Sequence, residues 1–328
     1  MNDKFHEAIG AEGITNIAIM GFGVVGSGVY EIVSKNNALE EKCGSKIKVK
    51  RVLDIRELSP HPAQSILTNN FEDVLNDSEI SIVIESIGGL SPAYEYTKAL
   101  LAVGKSVVTS NKAVVAPHGK ELQEIAAKNN AKYMYEASVG GGIPIIRPLK
   151  QCLAANQITE ILGIFNGTTN YILTQMKTNG TSFADALAQA QAKGYAESDP
   201  TADVEGHDTA RKVAILSELA FGQRVDYQNI PTQGITQVTL DDFRKAEEAG
   251  CTLKLIGHAK FENGKLECKV APTHVPKDSL LANVNDVFNG IVVRGDSVGE
   301  VMFYGHGAGK LPTASAVMSD VIEIIRNK

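Results

Sequence analysis

The sequence predicts an α/β protein: a doubly wound parallel sheet followed by a second α/β domain. Three observations carry that expectation. Apolar runs of strand length alternate with helical segments up to residue 138, the pattern of successive βαβ units. A glycine-rich turn joins the first such run to the first helix. Beyond residue 148 the character changes to longer helices and paired, alternating segments.

Taken in order, "TNIAIMGFGVVGSGVYEIVSK" (15–35) reads as strand, turn and amphipathic helix. Ile17 and Ile19 alternate with smaller residues, and Val25, Val29, Ile32 and Val33 recur at helical spacing. "KIKVKRVLD" (46–54) is a second strand, and "ISIVIESIG" (80–88) a third, near-continuously apolar as buried parallel strands are. "YEYTKALLAVGK" is a helix closed by Gly104, with the strand "SVVTS" (106–110) after it. A helix over 119–130 and a strand over 131–138 complete this half.

In the second half, "QITEILGIF" (157–165) is a strand, and "TTNYILTQMK" (168–177) and "SFADALAQAQAKG" (182–194) are helices. Ser182 and Asp185 have capping-box spacing, and Gly194 is a helix stop. One long helix is expected over roughly 202–221, with Pro200 near its start. "GIVVRGDSV" and "GEVMFYG" (290–305) form a hairpin pair, and "PTASAVMSDVIEIIRNK" a closing helix. The expected domains are 1–137 with 305–328, and 138–304.

Composition bounds the function. The 328 residues are 43% hydrophobic and 21% charged, enough for a large core without disulfide or metal staples. A net charge of −6 without basic runs argues against nucleic acid and anionic membranes as partners. Cys43, Cys152, Cys251 and Cys268 are scattered without a C-x-x-C pair, as in a reducing cytoplasm. "MNDKFHEAIGAEG" has no apolar signal core, and no run approaches the ~18 apolar residues of a spanning helix. The seven histidines lack ligand spacing, so zinc is not expected. A cytoplasmic location follows as the expectation.

The turn Gly21-Phe22-Gly23-Val24-Val25-Gly26 is a G-x-G-x-x-G between strand and helix. Its glycines permit a tight turn, backbone approach to a pyrophosphate and close helix packing. Asp54, at the end of the second strand, takes the place of the acid that binds ribose hydroxyls. It stands 33 residues beyond Gly21, against a usual ~20, and the polar insert "NNALEEKCGSKI" explains the excess. A carboxylate there repels a 2′-phosphate and favours NAD, whereas Arg56 two residues on would attract it. An ordinary strand-end turn is the other reading of Asp54.

"VVTSNKA" (107–113) sets Thr109 and Lys112 just past the carboxyl end of a strand, the ligand edge of such a sheet. Lys112 also reads as a plain loop lysine. Glu136 precedes three consecutive glycines in "YEASVGGGIPI". That combination suits either an interdomain hinge or a hard cation held by a carboxylate and carbonyl oxygens. In "KGYAESDPTADVEGHDTARK" (193–212), Glu197, Asp199, Asp203, Glu205 and Asp208 precede Lys212. Helix N-termini favour such acids. Asp208 and Lys212 share a helix face beside an apolar run. They are either a surface pair contributing ~0.3–0.5 kcal/mol or a reaction centre, in which a lysine shielded from water serves as general acid or base.

Together "GFGVVGSGV", "TSNKA", "YEASVGGGIPII", "NGTTNYIL", "AKGYAESDPTADVEGHDTARKVAILSELAFG" and "YGHGAGKLPTASAV" resemble homoserine dehydrogenase, in that family's order over residues 17–321. The resemblance implies a Rossmann-like nucleotide domain, a dimerisation and substrate domain, and a homodimer. It implies NAD(P)-dependent interconversion of L-homoserine and L-aspartate 4-semialdehyde, a step toward threonine and methionine. Carried over, Lys212 is the proton donor and Lys112 a second active-site lysine. Asp208 and Glu197 contact the substrate. Gly194, Glu197 and Gly307 touch the cofactor, beside the Gly21–Gly26 turn, Asp54, Thr109 and Lys112. Glu136 with the main chain of Val139, Gly141 and Ile143 matches a sodium site.

Two departures stand out. Many members carry "VRD" after the second strand, an arginine suited to NADP, where this chain has "LDIR". The chain also ends near the end of the catalytic region, so threonine feedback through a C-terminal domain is not expected. Aspartate-semialdehyde dehydrogenase, the nearest rival, needs a cysteine nucleophile, and Cys152 sits in an expected helix body. A non-catalytic NAD sensor leaves the acid–lysine block unexplained.

Overall fold

The structure, a computed structural model, describes residues 13–36 and 38–327. The segment read as lacking a signal core lies almost entirely outside the described residues. The chain divides into two units, one running to Ser138 and resuming at Gly309, the other spanning Val139–Ala308.

The first unit is built on β1 (Gly13–Met20), β2 (Ser45–Leu53), β3 (Leu67–Thr68), β4 (Ile80–Glu85), β5 (Ser106–Thr109) and β6 (Tyr133–Met134). They lie in the order β3-β2-β1-β4-β5-β6, all pairings parallel. This is the Rossmann order, with its reversal between β1 and β4. Between the strands run α1 (Val24–Lys35), α2 (Leu39–Cys43), α3 (Glu72–Leu75), α4 (Ala93–Ala102) and α5 (Lys112–Lys128). Ile17 to Met20 are wholly buried. Helices over both faces of the sheet are what an unbroken apolar strand demands.

Two expected elements differ. The helix expected from 119 starts at Lys112, because the Asn111 side chain accepts from the Ala113 amide (3.2 Å) and caps it. The strand expected over 131–138 pairs only at Tyr133–Met134. The Ser138 amide and hydroxyl both reach the Tyr135 carbonyl (2.9 and 2.7 Å), turning the chain into α6 (Ala137–Gly140).

The second unit carries β7 (Ile158–Ile164), β8 (Cys251–Glu262), β9 (Lys265–Pro276), β10 (Phe288–Gly295) and β11 (Gly299–His306). This antiparallel sheet has the order β11-β10-β7-β8-β9. Its helices are α7 (Gly167–Asn179), α8 (Phe183–Ala192), α9 (Thr201–Val204), α10 (His207–Phe221) and α11 (Leu240–Glu248). α10 presses so closely on β8 that a side chain at Gly257 would meet Val213, Phe165 and Thr209 at 2.7–2.8 Å. The single helix expected over 202–221 is two, α9 and α10, broken at Gly206 with a left-handed φ of 84°.

The chain then returns to the first unit as α12 (Lys310–Arg326), against α1. Ala314, Val317, Met318, Val321 and Ile324 join Val29, Ile17 and Ile82 in one apolar cluster. Among the described residues no helix is long and apolar enough to cross a membrane.

Candidate active site

The glycine turn leaves β1 beside the reversal of strand order, where an open α/β sheet has its crevice. Gly21 has a left-handed φ of 87°, donates its amide to the Leu53 carbonyl (2.8 Å), and would bring a side chain within 2.6 Å of Ser86 O. Gly23, the residue before α1, is the open one: a Cβ there would have nothing within 4 Å, and no side chain caps the helix. Uncapped amides beside a residue with no side chain are what a pyrophosphate requires. A dinucleotide therefore fits the turn. Val24 is exposed and Val25 half-buried on the first turn of α1, while Phe22 packs edge-on to Tyr30 and His61.

Asp54 is buried and joined to that turn, accepting from the Phe22 amide (2.6 Å). Its carboxylate also takes the Arg56 guanidinium in a two-point bond (2.9 and 2.8 Å) and the Arg56 amide (2.9 Å). The Arg56 pair, helped by the two amides, holds its pKa down to about 2. Asp54 is therefore an anion throughout the neutral range.

On the other side of the reversal, Glu85 ends β4 fully buried. It accepts from the Thr109 hydroxyl (2.6 Å), the Ile87 amide (2.9 Å) and the Asn111 amide group (3.4 Å). Burial pushes its pKa up against those donors. Thr109 Oγ1 also accepts from the Asn111 amide (2.9 Å), so its hydroxyl is engaged inside the protein. Lys112 follows as the first residue of α5, half-buried. Sequence reasoning missed Glu85, which reads only as one polar letter inside the near-continuously apolar run at 80–88.

In the second unit, Asp208 and Lys212 are 4% and 6% exposed, on the first turns of α10. Lys212 Nζ lies 2.8 Å from Asp208 Oδ2 and donates to the Phe165 carbonyl (2.6 Å) at the end of β7. The next residue, Asn166, donates to Asp208 Oδ2 (2.9 Å) and Asp203 Oδ1 (2.7 Å). Asp203, read from sequence only as helix-end charge, is thus brought beside the pair. Asn166 was not singled out at all. "NGTTNYIL" hinted at it only as part of a motif, since its partners lie 37 and 42 residues away.

Glu197 is exposed, two residues beyond Tyr195, whose carbonyl accepts from the Thr168 hydroxyl (2.6 Å) on the first turn of α7. Gly194 has a left-handed φ of 73° and open space around it. Gly307 lies flat on the buried Asn289 side chain, which leaves no room for a Cβ. Glu136 is buried at the end of the first unit, and its amide donates to Asp320 (2.8 Å). Val139 and Ile143 are buried at the start of the second, with Gly141 between them at a φ of 57°.

Both halves of the chain match known proteins. The family described as homoserine dehydrogenase, NAD binding domain, matches residues 21–136, and the one described as homoserine dehydrogenase matches residues 144–322. The chain belongs to the homoserine dehydrogenase family. The homoserine dehydrogenase of Synechocystis sp. is 44% identical over 320 residues, 94% of this chain and 73% of its own length. The crystal structure of a homoserine dehydrogenase from Thiobacillus denitrificans has a TM-score of 0.92 and 42% identity, over 96% of this chain and 74% of that one. A hyperthermophilic archaeal homoserine dehydrogenase in complex with NADPH has a TM-score of 0.79 and 28% identity, over 94% and 97% of the two chains. As a homoserine dehydrogenase the chain is an NAD(P)-dependent oxidoreductase that interconverts L-homoserine and L-aspartate 4-semialdehyde. Neither direction needs a covalent acyl intermediate, and the Asp208–Lys212 cluster contains no thiol.

Proposed function

We propose that Lys212 carries the proton in this reaction and that Asp208 orients it. The observation that supports this is burial: the ammonium is anchored by a carboxylate and a main-chain carbonyl inside the protein, not waving in solvent. NAD(P), when bound, supplies or accepts the hydride. Lys212 gives a proton to the carbonyl oxygen of the semialdehyde, and its charge offsets the developing alkoxide. In the oxidative direction the same nitrogen takes the hydroxyl proton. Asp208 and Glu197 are the acids for the substrate's ammonium, and Lys112 is a second lysine near the nicotinamide. Gly194, Glu197 and Gly307 belong to the cofactor contacts in the same reading. Lys212→Ala is expected to keep cofactor binding, read by nicotinamide fluorescence, and to lose at least ~100-fold in turnover. Unchanged turnover overturns the assignment.

The cofactor preference leans to NAD. Asp54 stands ionised at the end of β2, and Arg56 is turned back onto it in a two-point bond. A 2′-phosphate meets a negative charge there. NADH is expected to give the higher kcat/KM when both reduced cofactors are run in parallel; equal or better use of NADPH reverses this.

A monovalent cation, sodium, is proposed on Glu136 and the main-chain oxygens of Val139, Gly141 and Ile143. One carboxylate with carbonyl oxygens suits a hard ion. Replacing sodium by tetramethylammonium is expected to lower activity, and indifference to the exchange removes the site from the reaction. A homodimer and a cytoplasmic location complete this reading, the first tested by sedimentation equilibrium. Four free cysteines accord with a reducing compartment.

A further inference from the structure

The Asp208–Lys212 pair has its two anchors on consecutive residues. Phe165 offers its carbonyl to Lys212, and Asn166 its side-chain amide to Asp208. Asn166 is 6% exposed, and every end of its side chain is engaged. Oδ1 accepts the Thr169 amide (2.9 Å) as the N-cap of α7, and the Thr169 hydroxyl (3.2 Å). That cap decides the orientation of the amide. Flipping it would lose the cap and turn a carbonyl toward two carboxylates. Nδ2 must therefore face Asp203 and Asp208, and its two protons serve one acid each (2.7 and 2.9 Å).

We infer that Asn166 is a positioning residue for catalysis, a neutral donor that holds Asp203 and Asp208 side by side and thereby fixes Asp208 against Lys212. This rests on the reading of Asp208 and Lys212 given above. The chemistry explains the residue type. Two neighbouring carboxylates repel, and a donor with two protons and no charge of its own relieves this without neutralising either. A lysine in its place would compete with Lys212 for Asp208, and a serine has one proton for two acids.

The test uses variants that keep the helix cap. Asn166→Ser and Asn166→Asp both cap α7, but neither supplies the two-proton donor. Asn166→Ser is expected to lower kcat/KM for aspartate semialdehyde about tenfold. Asn166→Asp, nearly isosteric but a third carboxylate, is expected to lower it about a hundredfold. The KM for the reduced cofactor should stay within twofold in both, a split that general loosening of the fold would not give. A cycle with Asp208→Ala separates this inference from the reading beneath it. Loss of activity in Asp208→Ala with no further loss on adding Asn166→Ser supports both. Full activity in Asp208→Ala sinks the site reading. Full activity in folded Asn166→Ser and Asn166→Asp, or losses that multiply in the double variant, overturns the positioning role alone.

Discussion

Burial separates Asp208–Lys212 from two other ion pairs of the same spacing. Glu31–Lys35 and Asp241–Lys245 are also four residues apart on helices, but their side chains are substantially exposed (29% and 74% in the first, 47% and 64% in the second). Surface pairs of that kind are screened by solvent and contribute little, whereas removing one partner of a buried pair costs about 3–5 kcal/mol. Asp208→Ala should therefore lower the urea midpoint clearly, while Asp241→Ala leaves it almost unmoved. Lys254 offers a second residue-scale test. It is buried on β8, donating to Asn285 Oδ1 (2.9 Å) and the Val284 carbonyl, and burial lowers its pKa from 10.5 to about 8. Between those two values the unfolded chain holds a proton that the folded chain has released, so this group makes stability rise with pH. Urea titrations at pH 8 and pH 10 should show a gain in wild type that Lys254→Met lacks. From sequence, the spacing of Asp208 and Lys212 was legible because helical geometry is local. Asn166, Asp203 and Glu85 were not, because only the tertiary fold brings their partners to them.

Among the elements, α10 carries the proton-transfer candidates, and β8 sets its height. The contact at Gly257 leaves no space for a side chain. Gly257→Val should cost about 1–3 kcal/mol by overpacking and reduce turnover by lifting α10 from Phe165. Calorimetry and steady-state rates measure the two effects, and a fully stable, fully active variant would refute this account of the packing. Strand and helix periodicity made β1, β2, β4, β7, the β10–β11 hairpin and α12 readable, and β1, β4 and α12 each bury a face. The break at Gly206 was unreadable: an acidic helix start and an apolar run beyond it look the same whether one helix or two carries them. The expected strand over 131–138 stops at Met134 for a related reason. Alternation in "YMYEAS" mimics a strand, while the Ser138–Tyr135 bonds that turn the chain are invisible to periodicity.

For the whole molecule, the first unit is discontinuous, its apolar cluster shared by α1, the sheet and α12. Gly28 lets α12 come close, since a Cβ there would lie 2.8 Å from the Lys310 carbonyl. Ending the chain after residue 308 strips Ala314, Val317, Met318, Val321 and Ile324 from that cluster. At roughly 1.5–3 kcal/mol for each larger apolar side chain buried, the loss is comparable to a domain's whole stability of about 5–15 kcal/mol. The shortened protein is expected to lose cofactor binding and the cooperative melting of this unit; retained NADH binding would show that α12 is dispensable. The return of α12 also bears on how the protein is made. On the ribosome, β1 to β6 emerge first yet must wait for residues 310–326, while the segment between them already holds its entire sheet and can close. The half synthesised earliest is the half completed last, and until then the apolar face that α12 covers stays open.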